Sequence, residues 1–214
     1  MAKEIDLKKG EFTRHVNKAA KAIADGFIIA IPMESSYAFA CDAFQADAVR
    51  AMHVLRGDPL FTAAQVIVGN VKTIDGIIRE ATPEIKGLIK KFWPGLLSMN
   101  LRPQLGLSWD LGDANQLDRV SVRIPRAKFA KALATKTGPL AIASAARRGM
   151  PAAQSLSDIF VLDADLALKF DNGKLRKGPI STVLEADETG VRLLREGAIS
   201  LAEIQKIVPS ATGN

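Results

Sequence analysis

The chain predicts an α/β domain, an open, twisted, mixed sheet flanked by helices. Three observations carry that expectation. Short apolar runs alternate with helix-period segments along the whole length, Pro or Gly punctuates most of the boundaries, and the last two apolar runs face each other across a hairpin turn. At 214 residues the chain is long for one domain and short for two, and it shows no internal repeat and no low-complexity linker. The expectation is a single domain over 1–214, with its core over about 12–200 and a short terminal helix over about 200–208.

The elements follow in order. Residues 11–25 place Phe12, Val16, Ala19, Ala20 and Ile23 on one helical face, and Gly26 stops the helix. The run 27–31 (FIIAI), cut off by Pro32, suits a buried strand. A helix over 46–55 shows Val49, Met52 and Leu55 and ends at Gly57, and 64–68 (AQVIV) reads as the next strand. Thr82-Pro83-Glu84 is a helix start with Pro in the first turn, and Pro94-Gly95 is its end. Strands follow at 96–101 and 120–124, joined by a polar stretch expected to loop over the surface. A helix over 127–136 then leads through Gly138-Pro139 into a strand at 140–144. The strands 180–185 and 191–195 flank Asp187-Glu188-Thr189-Gly190 as a hairpin. Ser200-Leu201-Ala202-Glu203 is a capping box that opens the last helix.

Composition narrows the class. The chain is 48% hydrophobic and 24% charged, which is ordinary for a globular protein. It has no apolar run long enough to cross a bilayer, and the start MAKEIDLKKGEF lacks the apolar region of a secretory signal, so a cytoplasmic location is expected. The single cysteine, Cys41, excludes an internal disulfide framework and reads as a small buried hydrophobe. His15 and His53 stand far apart without Cys companions, so no metal site is expected. A net charge of +6 and a pI near 9.5 favour either a polyanionic partner or a solvated basic surface.

Four places join a predicted strand end or helix end to polar or basic side chains. After the first strand, Ser35 can hydrogen-bond a carboxylate or phosphate and Tyr37 can stack or pack, although a plain turn also accounts for them. Arg56 ends a helix, where it can grip phosphate bidentately or simply complement the helix dipole. Arg123, inside the apolar run Val122-Arg123-Ile124, is costly to bury unless it binds a ligand or an ion-pair partner. Ser144, Ser181 and Arg195 follow later strands and can offer hydroxyl or guanidinium groups to an anion. No phosphate-binding P-loop and no dinucleotide fingerprint is present. Residue types and spacing alone stop at an anion-binding α/β domain.

The wording of these segments goes further. IIAIPMESSYAFACDA, FWPG (92–95), VRIP (122–125), STV (181–183) and R-x-G-A-I (195–199) occur in an order that resembles the YrdC-like family, which includes the threonylcarbamoyl-AMP synthases. The resemblance spans roughly residues 12–200. It implies a twisted sheet enclosing a basic cavity, and a nucleotidyltransferase that joins L-threonine, bicarbonate and ATP, with Mg²⁺ on the phosphates. The implied product feeds tRNA threonylcarbamoyladenosine modification, and double-stranded RNA binding is implied as well. On this reading Arg56 and Ser144 are catalytic, and Ser35, Tyr37, Arg56, Arg123, Ser144, Ser181 and Arg195 bind nucleotide and substrate.

Three positions depart from the family pattern. Met33 stands where the family has a threonine, Asp58 replaces the second cation of Lys-x-Arg, and Ala146 replaces the amide of Ser-x-Asn. The departures resemble those of the YciO-like branch. Two unit charges ~4 Å apart interact by roughly 4 kcal/mol at an effective dielectric of about 20, so an aspartate facing a triphosphate is a substantial penalty. Asp58 must therefore point away or bind a metal ion, or else the chain is a non-catalytic nucleotide- or double-stranded-RNA-binding relative.

Overall fold

The computed structural model describes residues 2–114, 116, 118–159 and 166–213. Its strands are β1 (Lys3–Asp6), β2 (Ile28–Pro32), β3 (Tyr37–Asp42), β4 (Gln65–Ile67), β5 (Leu97–Leu101), β6 (Val120–Arg123), β7 (Leu140–Ser144), β8 (Leu166–Asp171), β9 (Thr182–Asp187) and β10 (Gly190–Arg195). Its helices are α1 (Phe12–Ala24), α2 (Ala46–Arg56), α3 (Pro83–Phe92), α4 (Lys128–Thr137) and α5 (Leu201–Gln205), with 3₁₀ turns at Val71–Gly76 and Leu156–Asp158. The strands form one mixed sheet in the order β1-β8-β2-β3-β7-β4-β6-β5-β9-β10.

Most starts and stops have the local chemistry expected of them. The Thr82 hydroxyl accepts the Ile85 amide with Pro83 in the first turn of α3, and Ser200 and Glu203 cap α5 reciprocally. α5 is shorter than the 200–208 expectation, its chain leaving the helix after Gln205. Three strands were not expected. β3 is buried along nearly its whole length between β2 and β7, so AFAC shows no alternation to read. β1 lies at the edge of the sheet and pairs with β8, where the polar KEID needs no apolar pattern. β8 joins β1 to β2 in parallel, and residues 160–165 just before it lie outside the described set. The 102–119 segment also does more than loop over the surface, because it buries Trp109 and Leu111 in the core.

The two faces of the sheet are covered unequally, and this makes the site. On one face α2, α3, α5 and the long loops close a continuous core over Val66, Val122, Met99 and Leu184. On the other, α1 and α4 pack together over Ile29, Ile31, Ala40, Ile67, Leu140 and Phe170, with Phe12, Phe129 and Phe170 in ring contact. Side chains alternate along a strand, so that second face also receives Ser98 and Asn100 of β5 and Ser121 and Arg123 of β6. There the floor is polar: Gln65 Nε2 donates to Ser98 Oγ (2.8 Å) and to Ser121 Oγ (3.2 Å). Among the described residues no helix covers this polar half-face, which makes it a cavity floor rather than a core.

Candidate functional site

The cavity over this floor has a volume of ≈ 440 Å³. Gln65, Ser121, Arg123 and Val183 come from its floor strands, Ser35 from the β2–β3 turn, Ser144 from the end of β7, and Ser181 and Arg195 from the carboxyl hairpin. Six of the seven sequence-predicted residues border it: Ser35, Tyr37, Arg123, Ser144, Ser181 and Arg195. They lie at element ends because a strand must stop before its side chains can converge on a ligand.

Two guanidiniums bracket Ser181. Arg123 Nη1 donates to the Ser181 hydroxyl (3.1 Å), and Arg195 donates through Nε (3.2 Å) and Nη2 (2.9 Å) to the Ser181 carbonyl. The hairpin reaches this position because Gly197 lies against the backbone of Ser181. A Cβ there would stand 2.7 Å from the Ser181 carbonyl carbon. Arg195 is exposed, whereas Arg123 is only 4% exposed. Burying a cation that deeply requires a counter-charge. Glu34 supplies it, with Oε2 accepting from Arg123 Nη2 (3.0 Å) while Oε1 accepts the amides of Arg126 (2.7 Å) and Ala127 (3.4 Å) at the start of α4. Arg123 is thus an ion-pair partner and a cavity residue at once, and its Nε has no hydrogen-bond partner.

Tyr37 borders the cavity but turns its ring away. The residue is fully buried, and its hydroxyl lies 3.0 Å from Asp171 Oδ1 and 2.8 Å from the Gly173 carbonyl while accepting the Asn172 amide (2.9 Å). Burial, helped by the neighbouring Asp171, pushes the phenol up to about 12. Of the two expectations for this ring, packing replaces stacking on a ligand. Its job is to anchor the turn after β8.

Arg56 is the one predicted residue that the cavity does not include. Its Nε and Nη2 donate to the two Asp58 oxygens (2.7 and 3.2 Å), and its Nη1 donates to the carbonyls of Ala146 (2.9 Å) and Ser144. Asp58 Oδ2 also faces His53 Nδ1 (2.9 Å), and His53 Nε2 faces the Leu111 carbonyl (3.0 Å). The Asp58 side chain is 3% exposed. Gly57 makes this possible: at φ 67 it turns the chain back at the end of α2, so that Asp58 meets the side chain two residues before it. Burial alone would raise the Asp58 carboxyl, but the bonds from Arg56 and His53 outweigh it and hold the group below its ordinary value. Asp58 therefore faces Arg56 and is not among the residues that line the cavity. Arg56 itself is a clamp on the β7 end.

Met33 and Ala146, the other two departures, are both buried, 8% and 5% exposed. Sequence reasoning passed over Glu34, Gln65 and Ser121. A carboxylate directly after an apolar strand was the available signal for Glu34, while a lone Gln or Ser inside a strand carries no signal without the sheet order. No group of three His, Cys, Asp or Glu among the described residues is arranged to hold a metal ion, and no helix of the described chain is long and apolar enough to cross a membrane.

Comparison with known proteins places the chain in a family and a fold. A family model covering Sua5, YciO and YrdC, described as "Telomere recombination", matches residues 21–197. A Mycobacterium leprae protein that carries a provisional threonylcarbamoyl-AMP synthase name is 31% identical over 196 residues, covering 91% of this chain and 88% of that protein. The crystal structure of Pyrococcus abyssi Sua5 complexed with L-threonine superposes with a TM-score of 0.87 at 25% identity, over all of this chain and 62% of that one. Escherichia coli YciO shares the fold, with a TM-score of 0.79 at 19% identity over 95% of this chain and 98% of its own.

Proposed function

This chain belongs to the Sua5, YciO and YrdC family, and we propose that it is a nucleotidyltransferase of the threonylcarbamoyl-AMP synthase type. Its substrates are ATP, bicarbonate and L-threonine or a closely related acid, and its product serves tRNA threonylcarbamoyladenosine modification. The observation that carries this reading is the convergence of Arg123 and Arg195 on Ser181, across a cavity that also holds the Ser35 and Ser144 hydroxyls. A cavity of ≈ 440 Å³ is within the range of small-molecule sites.

The chemistry asks for little from the protein beyond placement and charge. The amine nitrogen of the acid forms a bond to the bicarbonate carbon as a carbon–oxygen bond breaks, and water leaves to give a carbamate. A carbamate oxygen then forms a bond to the α-phosphorus of ATP as the bond from that phosphorus to the pyrophosphate oxygen breaks. Arg195, exposed and turned to Ser181, supplies fixed positive charge at the cavity wall, and the Arg123–Glu34 pair fixes the wall's shape. Ser35 and Ser144 supply hydroxyls that orient the acid. Arg56 acts at one remove, holding the Ser144 and Ala146 carbonyls so that the Ser144 hydroxyl keeps its place. Mg²⁺ enters with the nucleotide phosphates, since Glu34, the one carboxylate among the residues named for the cavity, is already engaged by Arg123.

The test is pyrophosphate release from ATP, Mg²⁺ and bicarbonate in the presence of each of a panel of amino acids. Threonine-dependent release that is lost in Arg123→Ala is expected. A folded protein that is silent across the panel overturns the catalytic reading. One observation favours a second reading, a nucleotide binder without catalysis: the withdrawal of Arg56 leaves the cavity with two arginines. Saturable ATP binding without any pyrophosphate release selects it.

A further inference from the structure

The charge of the cavity is too small for a triphosphate. Glu34 offsets Arg123, which leaves Arg195 as the single uncompensated cation among its lining residues. A second cavity of ≈ 710 Å³ adjoins the first, sharing Ala152 with it and bordered by Ala146, Arg147, Met150, Gln154 and Asp158.

Residues 146–158 after β7 line this outer cavity, and the strap 172–181 after β8 runs beside them and lines the inner one through Pro179, Ile180 and Ser181. The Leu175 amide donates to the Gln154 carbonyl (2.7 Å), and the Tyr37 amide donates to the Ala153 carbonyl (2.7 Å), which ties both to the inner cavity. Gly178 rests on Ser35; a Cβ there would stand 3.2 Å from Ser35 Cβ. The Tyr37 hydroxyl pins the other end of the strap through Asp171, Asn172 and Gly173.

These two segments carry five cations, Arg147, Arg148, Lys174, Arg176 and Lys177, against one carboxylate, Asp158. All five cations are exposed. Asp158 Oδ2 accepts the amides of Gln154 and Ser155, and the bonds from Ser155 and Gln154 hold its carboxyl below the ordinary value. Arg147 lines the outer cavity, and Lys174 stands next to it in the strap, one residue before the Leu175 amide that bonds Gln154 of its lining.

We propose that the outer cavity is the polyphosphate subsite of this chain, with Arg147 and Lys174 as its specificity-determining cations. The nucleoside and the α-phosphate occupy the inner cavity, and the β- and γ-phosphates cross Ala152 to reach these two side chains. The assignment rests on the nucleotide reading above and gives that reading the positive charge that Arg56, turned toward Asp58, does not supply. It also predicts discrimination, because AMP ends where the outer cavity begins.

The experiment compares ATP and AMP by calorimetric titration of the full chain, in the wild type, Arg147→Ala, Lys174→Ala, the double variant, and Lys72→Ala as a control for net charge. Wild type is expected to bind ATP more tightly than AMP. Each single variant at the outer cavity should weaken ATP binding about 5-fold, the scale of a partly exposed charge pair, and leave AMP and the control within 2-fold. Equal losses for ATP and AMP, or no loss for either, overturn the subsite while leaving nucleotide binding intact. A wild type that binds neither nucleotide overturns the nucleotide reading and the subsite together. Loss of double-stranded RNA binding in the variants with an unchanged ATP-to-AMP ratio overturns it too, and reassigns these cations to nucleic acid.

Discussion

Asp58→Asn removes one negative charge from the junction of α2 and β7 and almost nothing else. The carboxylate it replaces is 3% exposed and takes three bonds, from Arg56 Nε (2.7 Å), Arg56 Nη2 (3.2 Å) and His53 Nδ1 (2.9 Å). Breaking a buried ion pair from one side generally costs 3–5 kcal/mol. Arg56 keeps the carbonyls of Ser144 and Ala146, so the lower end, about 3 kcal/mol, is expected here. With an m-value of about 3 kcal/mol/M, that moves the urea midpoint down by about 1 M. The pH dependence has a definite sign. The Asp58 carboxyl titrates below its ordinary value of 3.8 in the folded chain, so its contribution is full above that value and is lost as pH falls through the folded pKa. Wild type should therefore lose the advantage over Asp58→Asn in acid. A variant within 0.5 kcal/mol of wild type at pH 7, as a typical surface substitution would be, refutes the clamp. Restoring the family cation with Asp58→Arg is expected to prevent folding rather than to create activity, because a second guanidinium would then face Arg56 where its counter-charge stood.

Three more outcomes follow from the same contacts. Arg123→Ala should lose nucleotide binding and also stability, because Glu34 is left without its buried counter-ion, while Arg123→Lys restores stability only in part; titration and urea unfolding on the same samples separate the two effects. Tyr37→Phe deletes one hydroxyl that serves the Asp171, Asn172 and Gly173 turn, at a cost of about 1–3 kcal/mol, and should raise amide exchange in the strap more than in the core strands. Cys41 is fully buried and burial pushes its thiol up to about 12, so the native protein should resist a thiol reagent at pH 8 until it is unfolded; rapid labelling of the folded chain contradicts the burial.

Much of the fold was legible because its signals are local. The Thr82-Pro83 start, the Ser200 capping box and the hairpin around Glu188-Thr189 each act within a few residues, and each appears in the structure. β1 and β3 were not legible for opposite reasons, one being too exposed to need an apolar pattern and the other too buried to show alternation. At the site, Ser35, Ser144, Ser181, Arg123 and Arg195 border one cavity and Arg56 does not, since strand ends are where an α/β sheet can present side chains and Arg56 ends a helix. The partner of each arginine was not legible. Glu34 meets Arg123 across 89 positions of sequence, which only the sheet order brings together. Arg56 was the exception, for Asp58 lies two residues away and the left-handed Gly57 between them is a local reason to pair them. A comparison of motif positions saw a lost cation there, whereas the backbone turn shows an ion pair.

In the proposed reaction the Arg123, Arg195 and Ser181 cavity joins an acid-derived carbamate to the α-phosphate of ATP. Its most direct test follows the carbon. The protein is incubated with ATP, Mg²⁺, L-threonine and ¹³C-labelled bicarbonate, and the nucleotide products are read by mass spectrometry. An adenylate that carries one ¹³C and the threonine mass, absent from Arg123→Ala and absent without threonine, is the expected result. Unlabelled AMP and ADP alone, from a folded protein that binds ATP, contradict it.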